Sequence, residues 1–145
     1  MHSYAVTNGQ LVLRDRVLRD HTLVVRDGTI SEITPDTSRP AALPVVDAES
    51  GYVAPGLVEL HIHGCGGVGF DVDEAGTVER ACAFLRTRGV NTMVPTLQCN
   101  ENTLQRIAGE VGAGAGGPSV VPGVYVEGPF VHGDFRGGID PGHVA

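Results

Sequence analysis

Two histidines one residue apart, His61 and His63, end the apolar run Leu57-Val58-Glu59-Leu60-His61-Ile62-His63. In an extended strand, residues two apart project to one face, so both imidazoles can be aimed at a single point. Neutral imidazole ligates zinc and iron, although an isolated pair at a strand end can equally hydrogen-bond to backbone. Glu127 is the third residue of interest, since it ends Val124-Tyr125-Val126 and precedes Gly128-Pro129. A carboxylate there is costly to bury unpaired. A cation would compensate its charge, as would a capping or ion-pairing role at an exposed turn.

These side chains meet only if the elements that carry them lie side by side. The run ending in His63 is followed by Gly64-Cys65-Gly66-Gly67, and then by Val78, Ala81, Cys82 and Leu85 at helical spacing. Val90–Thr96 reads as a second strand, Leu104, Ile107, Ala108 and Val111 as a second helical stripe, and Val120–Glu127 as a third strand. Strands recurring about every 30 residues with a helix between predict βαβ units and parallel pairing. The glycine- and alanine-rich stretch 109–117 reads as a helix end and turn. Residues 1–34 differ in character, with short β-like runs around Asn8-Gly9 and Asp27-Gly28. Both dipeptides signal tight hairpin turns that need positive φ, so this region predicts a small antiparallel sheet. The polar stretch Pro35–Pro40, with Pro44 beyond it, reads as a connection. The division expected is residues 1–54, an accessory β-domain and linker, and residues 55–145, the first βαβαβ units.

The composition narrows the chemistry further. The 145 residues carry 17 acidic and 10 basic side chains, a net charge of −7, and all ten basic residues are arginines scattered singly. No basic stripe is present to meet a phosphate backbone, so nucleic acid is not an expected partner. No lysine is available for a Schiff base. Cys65, Cys82 and Cys99 form no Cys-x-x-Cys pair, which suits a reduced, cytoplasmic setting. Met1-His2-Ser3-Tyr4 lacks a leader-like charge pattern, and no apolar run approaches the roughly 18 residues of a membrane span. Cys65 reads as a small residue in a tight loop, with no base beside it to make it a nucleophile. Asp71 and Asp73 read as solvated, as do His132, His143 and Arg136 in the last loop.

Several of these segments resemble the N-acetylglucosamine-6-phosphate deacetylase family of the amidohydrolase superfamily. Pro55-Gly56-Leu57-Val58-Glu59-Leu60-His61-Ile62-His63-Gly64 is similar to the superfamily's opening barrel strand, and Cys65-Gly66-Gly67 to the deacetylase branch. Val94-Pro95-Thr96-Leu97 resembles that branch's second strand, and Gly123-Val124-Tyr125-Val126-Glu127-Gly128-Pro129-Phe130 its most characteristic motif. The Asp27-Gly28 hairpin is similar to the family's accessory β-domain. The resemblance implies an α/β fold, the start of a metal-dependent hydrolase (β/α)8 barrel of about three strands, preceded by part of a small β-sandwich. It implies Glu127 as the principal metal ligand, with His61 and His63 the pair that can hold a second ion. Zinc is the foremost expectation, with iron, cobalt or manganese as alternatives. Gly138 and Ile139, in the loop Arg136-Gly137-Gly138-Ile139-Asp140-Pro141, fall at substrate-contact positions. The implied substrate is an amino-sugar phosphate whose acetamide is hydrolysed to acetate. Ile139 departs from the family, which commonly has histidine there, and isoleucine can neither donate a hydrogen bond nor carry charge. A different amide substrate is therefore kept as an alternative.

An eight-stranded barrel takes about 250 residues, whereas about 90 follow the accessory domain, enough for three strands and two helices. The expected general base and further histidine ligands fall beyond Ala145, so the isolated chain is expected to be inactive. A truncated remnant, a separately encoded remainder of the barrel and a homo-oligomer are the readings this length leaves open.

Overall fold

The structure is a computed structural model and describes residues 3–145; the Met1-His2 dipeptide, half of the segment read above for a leader, lies outside them. The chain divides into two compact units, Met1–Pro55 and Gly56–Ala145.

The first unit is built mainly of β-strands. Strands β1 (Tyr4–Thr7), β2 (Gln10–Val12), β3 (Val17–Leu18), β4 (His21–Arg26), β5 (Thr29–Pro35), β6 (Val45–Asp47) and β7 (Tyr52–Val53) form two sheets, ordered β5-β4-β1-β6 and β3-β2-β7. The Asp27-Gly28 hairpin is as expected, with positive φ at both residues (51° and 81°) between antiparallel β4 and β5. Asn8-Gly9 is not such a hairpin. Asn8 alone has positive φ, and the strands on either side enter different sheets. Gly9 is needed for space instead, since a Cβ there would lie 2.7 Å from Val53 Cγ2. Among the described residues up to Thr34 the pairings β1–β4, β4–β5 and β2–β3 are antiparallel, as expected, though split between two sheets; parallel pairs arise only with strands beyond that range, β1 with β6 and β2 with β7. Ala5, Leu11, Val24 and Val25 are buried. The buried Thr22 hydroxyl donates to Asp36 Oδ1 at 2.7 Å, which ties β4 to the 3-10 turn Asp36–Ser38.

The second unit carries β8 (Leu57–Ile62), β9 (Gly64–Cys65), β10 (Val68–Gly69), α1 (Thr77–Arg86), β11 (Val90–Gln98), α2 (Glu101–Gly112) and β12 (Tyr125–Glu127). β8 and β12 both pair parallel with β11, giving the order β12-β11-β8, as the βαβ pattern predicts. The third strand is shorter than Val120–Glu127. Val120 makes only an isolated bridge to Thr92, and Pro122-Gly123 breaks the run before pairing resumes at Tyr125. Pro95, which has no N–H to donate, sits inside the central strand at a register shift. There the Ile62 N–H donates to the Thr96 hydroxyl at 2.9 Å.

The stripe Val78, Ala81, Cys82 and Leu85 is buried against Phe70, Met93, Leu97 and Ile107. On α2 only Ile107 is fully buried and Ala108 is exposed, so this helix presents a narrower face than its spacing suggests. Polar contacts from α2 add to that face. Arg106 Nη1 donates to the Glu74 carbonyl, the Thr77 hydroxyl and Glu110, and its Nη2 to the carbonyls of Phe70 and Val72, at 2.6–3.1 Å. Glu110 accepts from the N–H groups of Gly76 and Val78 at 3.1 and 3.0 Å. Helix α1 lacks a side-chain cap of its own at Gly76. The carboxylate on α2 supplies one and places negative charge at the positive end of the α1 dipole. Segment 70–77, which leads from the rim of the sheet into α1, is thereby held on the body of the unit.

Candidate metal centre

β8 delivers His61 and, one residue past its end, His63; β12 delivers Glu127 as its last residue. With both strands on β11, the side chains converge at the C-terminal rim of the sheet. One ligand atom from each of His61, His63 and Glu127 lies within 4.8 Å of the other two. His63 Nε2 is 3.1 Å from Glu127 Oε2, and the two imidazole rings stand edge to face with centroids 5.3 Å apart. The His61 ring also lies 5.5 Å from that of Tyr125, and its main-chain N–H donates to Glu59 Oε1 at 2.9 Å.

The donor set fits a divalent ion. Two imidazole nitrogens and one carboxylate oxygen suit zinc or iron. Ligand bonds of about 2.0–2.1 Å at a tetrahedral ion put neighbouring donors about 3.3 Å apart, close to the His63–Glu127 spacing. The site is open, with the His63 side chain 44% exposed and that of Glu127 33%.

The sheet also brings in residues that local sequence did not single out. Asp71, read as solvated, has Oδ2 3.8 Å from His63 Nδ1, on the ring edge opposite Glu127. Its Oδ1 accepts from the main-chain N–H of Gln98 at 3.4 Å. A hollow of about 320 Å³ beside the histidine is lined by His63, Asp71, Gln98, Glu127 and Gly138. Gly138 faces this space, whereas Ile139 is buried, at 3% exposure, beside Gly128. Arg136, read as a free loop cation, turns back and donates to the Ile139 carbonyl at 2.5 Å. His143 is half-buried against Gln98, while His132 stays exposed and caps its own 3-10 turn through Asp134 N–H. The Cys65 thiol contacts the Ala81 carbonyl at 3.7 Å, and burial pushes its pKa up, as expected of a structural cysteine.

No protein-family model matches the chain. N-acetylgalactosamine-6-phosphate deacetylase of Escherichia coli O157:H7 is 27% identical over 137 residues, 91% of this chain and 35% of the relative. N-acetylglucosamine-6-phosphate deacetylase of Danio rerio is 30% identical over 104 residues, 66% of this chain and 25% of the relative. The crystal structure of N-acetylglucosamine-6-phosphate deacetylase from Pasteurella multocida superposes with a TM-score of 0.87 at 24% identity, covering 99% of this chain and 38% of that one. These three relatives are amino-sugar-phosphate deacetylases. These hydrolases act on amides and belong to the amidohydrolase superfamily, whose members are metal-dependent barrel enzymes. The chain shares the fold of the Pasteurella multocida enzyme over nearly its whole length, yet spans only 35%, 25% and 38% of the lengths of these three relatives. Among the described residues, no helix is long and apolar enough to cross a membrane.

Proposed function

We propose that this chain forms the first strands and the metal-binding rim of a metal-dependent amidohydrolase that hydrolyses the acetamide of N-acetylglucosamine-6-phosphate to glucosamine-6-phosphate and acetate. The convergence of His61, His63 and Glu127 at the C-terminal rim of parallel strands carries this reading. Glu127 would be the principal ligand, with His61 and His63 completing that site or holding a second ion. When bound, zinc or another divalent ion supplies Lewis acidity toward the amide carbonyl and lowers the pKa of water. Glu127 would offset the ion's charge, and Asp71 and Glu127 stand beside the two ring nitrogens of His63. Gly138 leaves backbone rather than side chain on the wall of the hollow, and Ile139 braces that wall from behind. No described residue is assigned as general base, so this chain by itself is expected not to turn over.

The expected partners are the small amino-sugar phosphate and a polypeptide that covers the open strands. Leu57, Val58 and Leu60 on β8 are exposed, as are Tyr125 and Val126 on β12. The remaining strands of the barrel, or a second copy of the chain, would bury them. A cytoplasmic location accords with three free cysteines.

The test is acetate release from N-acetylglucosamine-6-phosphate by the chain combined with the remaining barrel strands, with and without zinc. Zinc-dependent release that disappears in Glu127→Gln supports the reading. Tight zinc binding without release from this sugar or its galactosamine epimer rejects the substrate, and no zinc binding at all rejects the centre. The competing reading, a non-catalytic remnant, predicts weak zinc binding and no hydrolysis in any combination.

A further inference from the structure

Gln98 ends β11 between the two strands that carry the ligands, and it pairs in register with Glu127. Its Oε1 accepts the Asp140 main-chain N–H at 2.9 Å and lies 3.0 Å from His143 Nδ1. The Asp140 donor fixes which way the amide points, so the same oxygen, with its second lone pair, accepts from a protonated Nδ1 of His143. These contacts span more than 40 residues of sequence. Apart from Ile139, which is buried beside Gly128, the segment they hold makes mainly internal polar contacts. Arg136 donates to the Ile139 carbonyl, and Asp140 Oδ1 accepts the Gly142 N–H at 2.8 Å to cap the 3-10 turn Pro141–His143. Its tail is pinned by the Ala145 N–H on the Pro129 carbonyl at 2.9 Å. Among the described residues, Gln98 thus joins this segment by side-chain hydrogen bonds to the sheet carrying the ligands, beside the apolar contact of Ile139.

We propose that Gln98 is a positioning residue: its amide oxygen anchors segment 136–143 at the rim, so that Gly138 forms the fixed wall of the hollow where a small amide would lie beside His63 and Glu127. This rests on the proposed metal centre for its meaning, though the anchoring itself can be read without any metal.

The experiment compares the chain with Gln98→Met, which keeps the length but removes the acceptor, and Gln98→Glu, which keeps an acceptor oxygen. Residue-resolved amide hydrogen exchange is followed at Asp140 and His143, and Co2+ binding is followed by its visible absorption. In Gln98→Met the two amides are expected to exchange about tenfold faster, with near-parental rates in Gln98→Glu and Co2+ affinity within about threefold of the parent. Unchanged exchange in Gln98→Met overturns the proposal, as does failure of Gln98→Glu to restore protection. Loss of Co2+ affinity by about tenfold or more in Gln98→Met overturns it too, because outer-shell partners of ligands act on that scale. If the parent chain binds no Co2+, the metal centre falls while the exchange result still decides the anchor.

Discussion

His63 stands between two carboxylates, with Nε2 3.1 Å from Glu127 and Nδ1 3.8 Å from Asp71. Asp71→Asn should therefore weaken zinc by about 10-fold or more, the usual effect of an outer-shell partner, and Glu127→Gln by much more. Calorimetric titration checks both, and equal affinities for Asp71→Asn and the parent would remove Asp71 from the site. Gly64, next to His63, has φ +146°, and a Cβ there would meet the Val68 carbonyl oxygen at 2.0 Å. Gly64→Ala is expected to disrupt the β9–β10 pairing and the histidine with it, measured as lost zinc affinity together with a lower melting temperature. Away from the site, Asp47 accepts hydrogen bonds from the Glu49 N–H and the Asn8 amide, both at 2.8 Å, which hold its pKa below the ordinary value. A lowered folded-state pKa gives stability that is present above the unfolded value and is lost as pH falls through the folded one. The first unit should lose stability in that acid range, and Asp47→Asn should flatten the loss in acid-titrated melting curves.

At the scale of elements, most of the architecture was legible because it is written locally. The α1 stripe, the Asp27-Gly28 turn and the strand–helix alternation each follow from side-chain period or backbone φ within a few residues. Glu127 and the two histidines were legible as strand-end residues. What escaped were features decided by distant partners. Asn8-Gly9 carries a hairpin signature but serves two different sheets, and Val120–Val124 is apolar but interrupted by Pro122-Gly123. Asp71 and Gln98 gain their places only from the pairing of β11 with β12 and from segment 70–77. Sequence spacing carries no signal for that segment's dependence on α2, which works through Arg106 and Glu110, both mostly buried. Removing one partner of such a pair leaves the other uncompensated, so Arg106→Met should cost about 3 kcal/mol. Denaturant unfolding checks this, and a loss near zero would show that segment 70–77 holds without the clamp.

For the whole molecule, the open sides of the parallel sheet set solution behaviour. Leu57 and Leu60 are 61% and 65% exposed, and the strand that carries them has only one neighbour among the described residues. An apolar edge of this kind invites pairing with another chain. Concentration-dependent self-association is expected by sedimentation, with Leu60→Lys lowering it; a strictly monomeric parent would exclude that surface as an interface. The wide separation of the ligands along the chain carries a second consequence. Glu127 lies roughly sixty residues from the histidine pair, so an ion gripped by all three would staple the first parallel strand to the third. By the loop-closure relation, a permanent cross-link of this span would restrict the unfolded chain by about 4 kcal/mol. Zinc would then act as a reversible clasp on this half of the fold as well as a reagent, and the melting temperature should climb with zinc concentration in the parent but stay flat in Glu127→Gln.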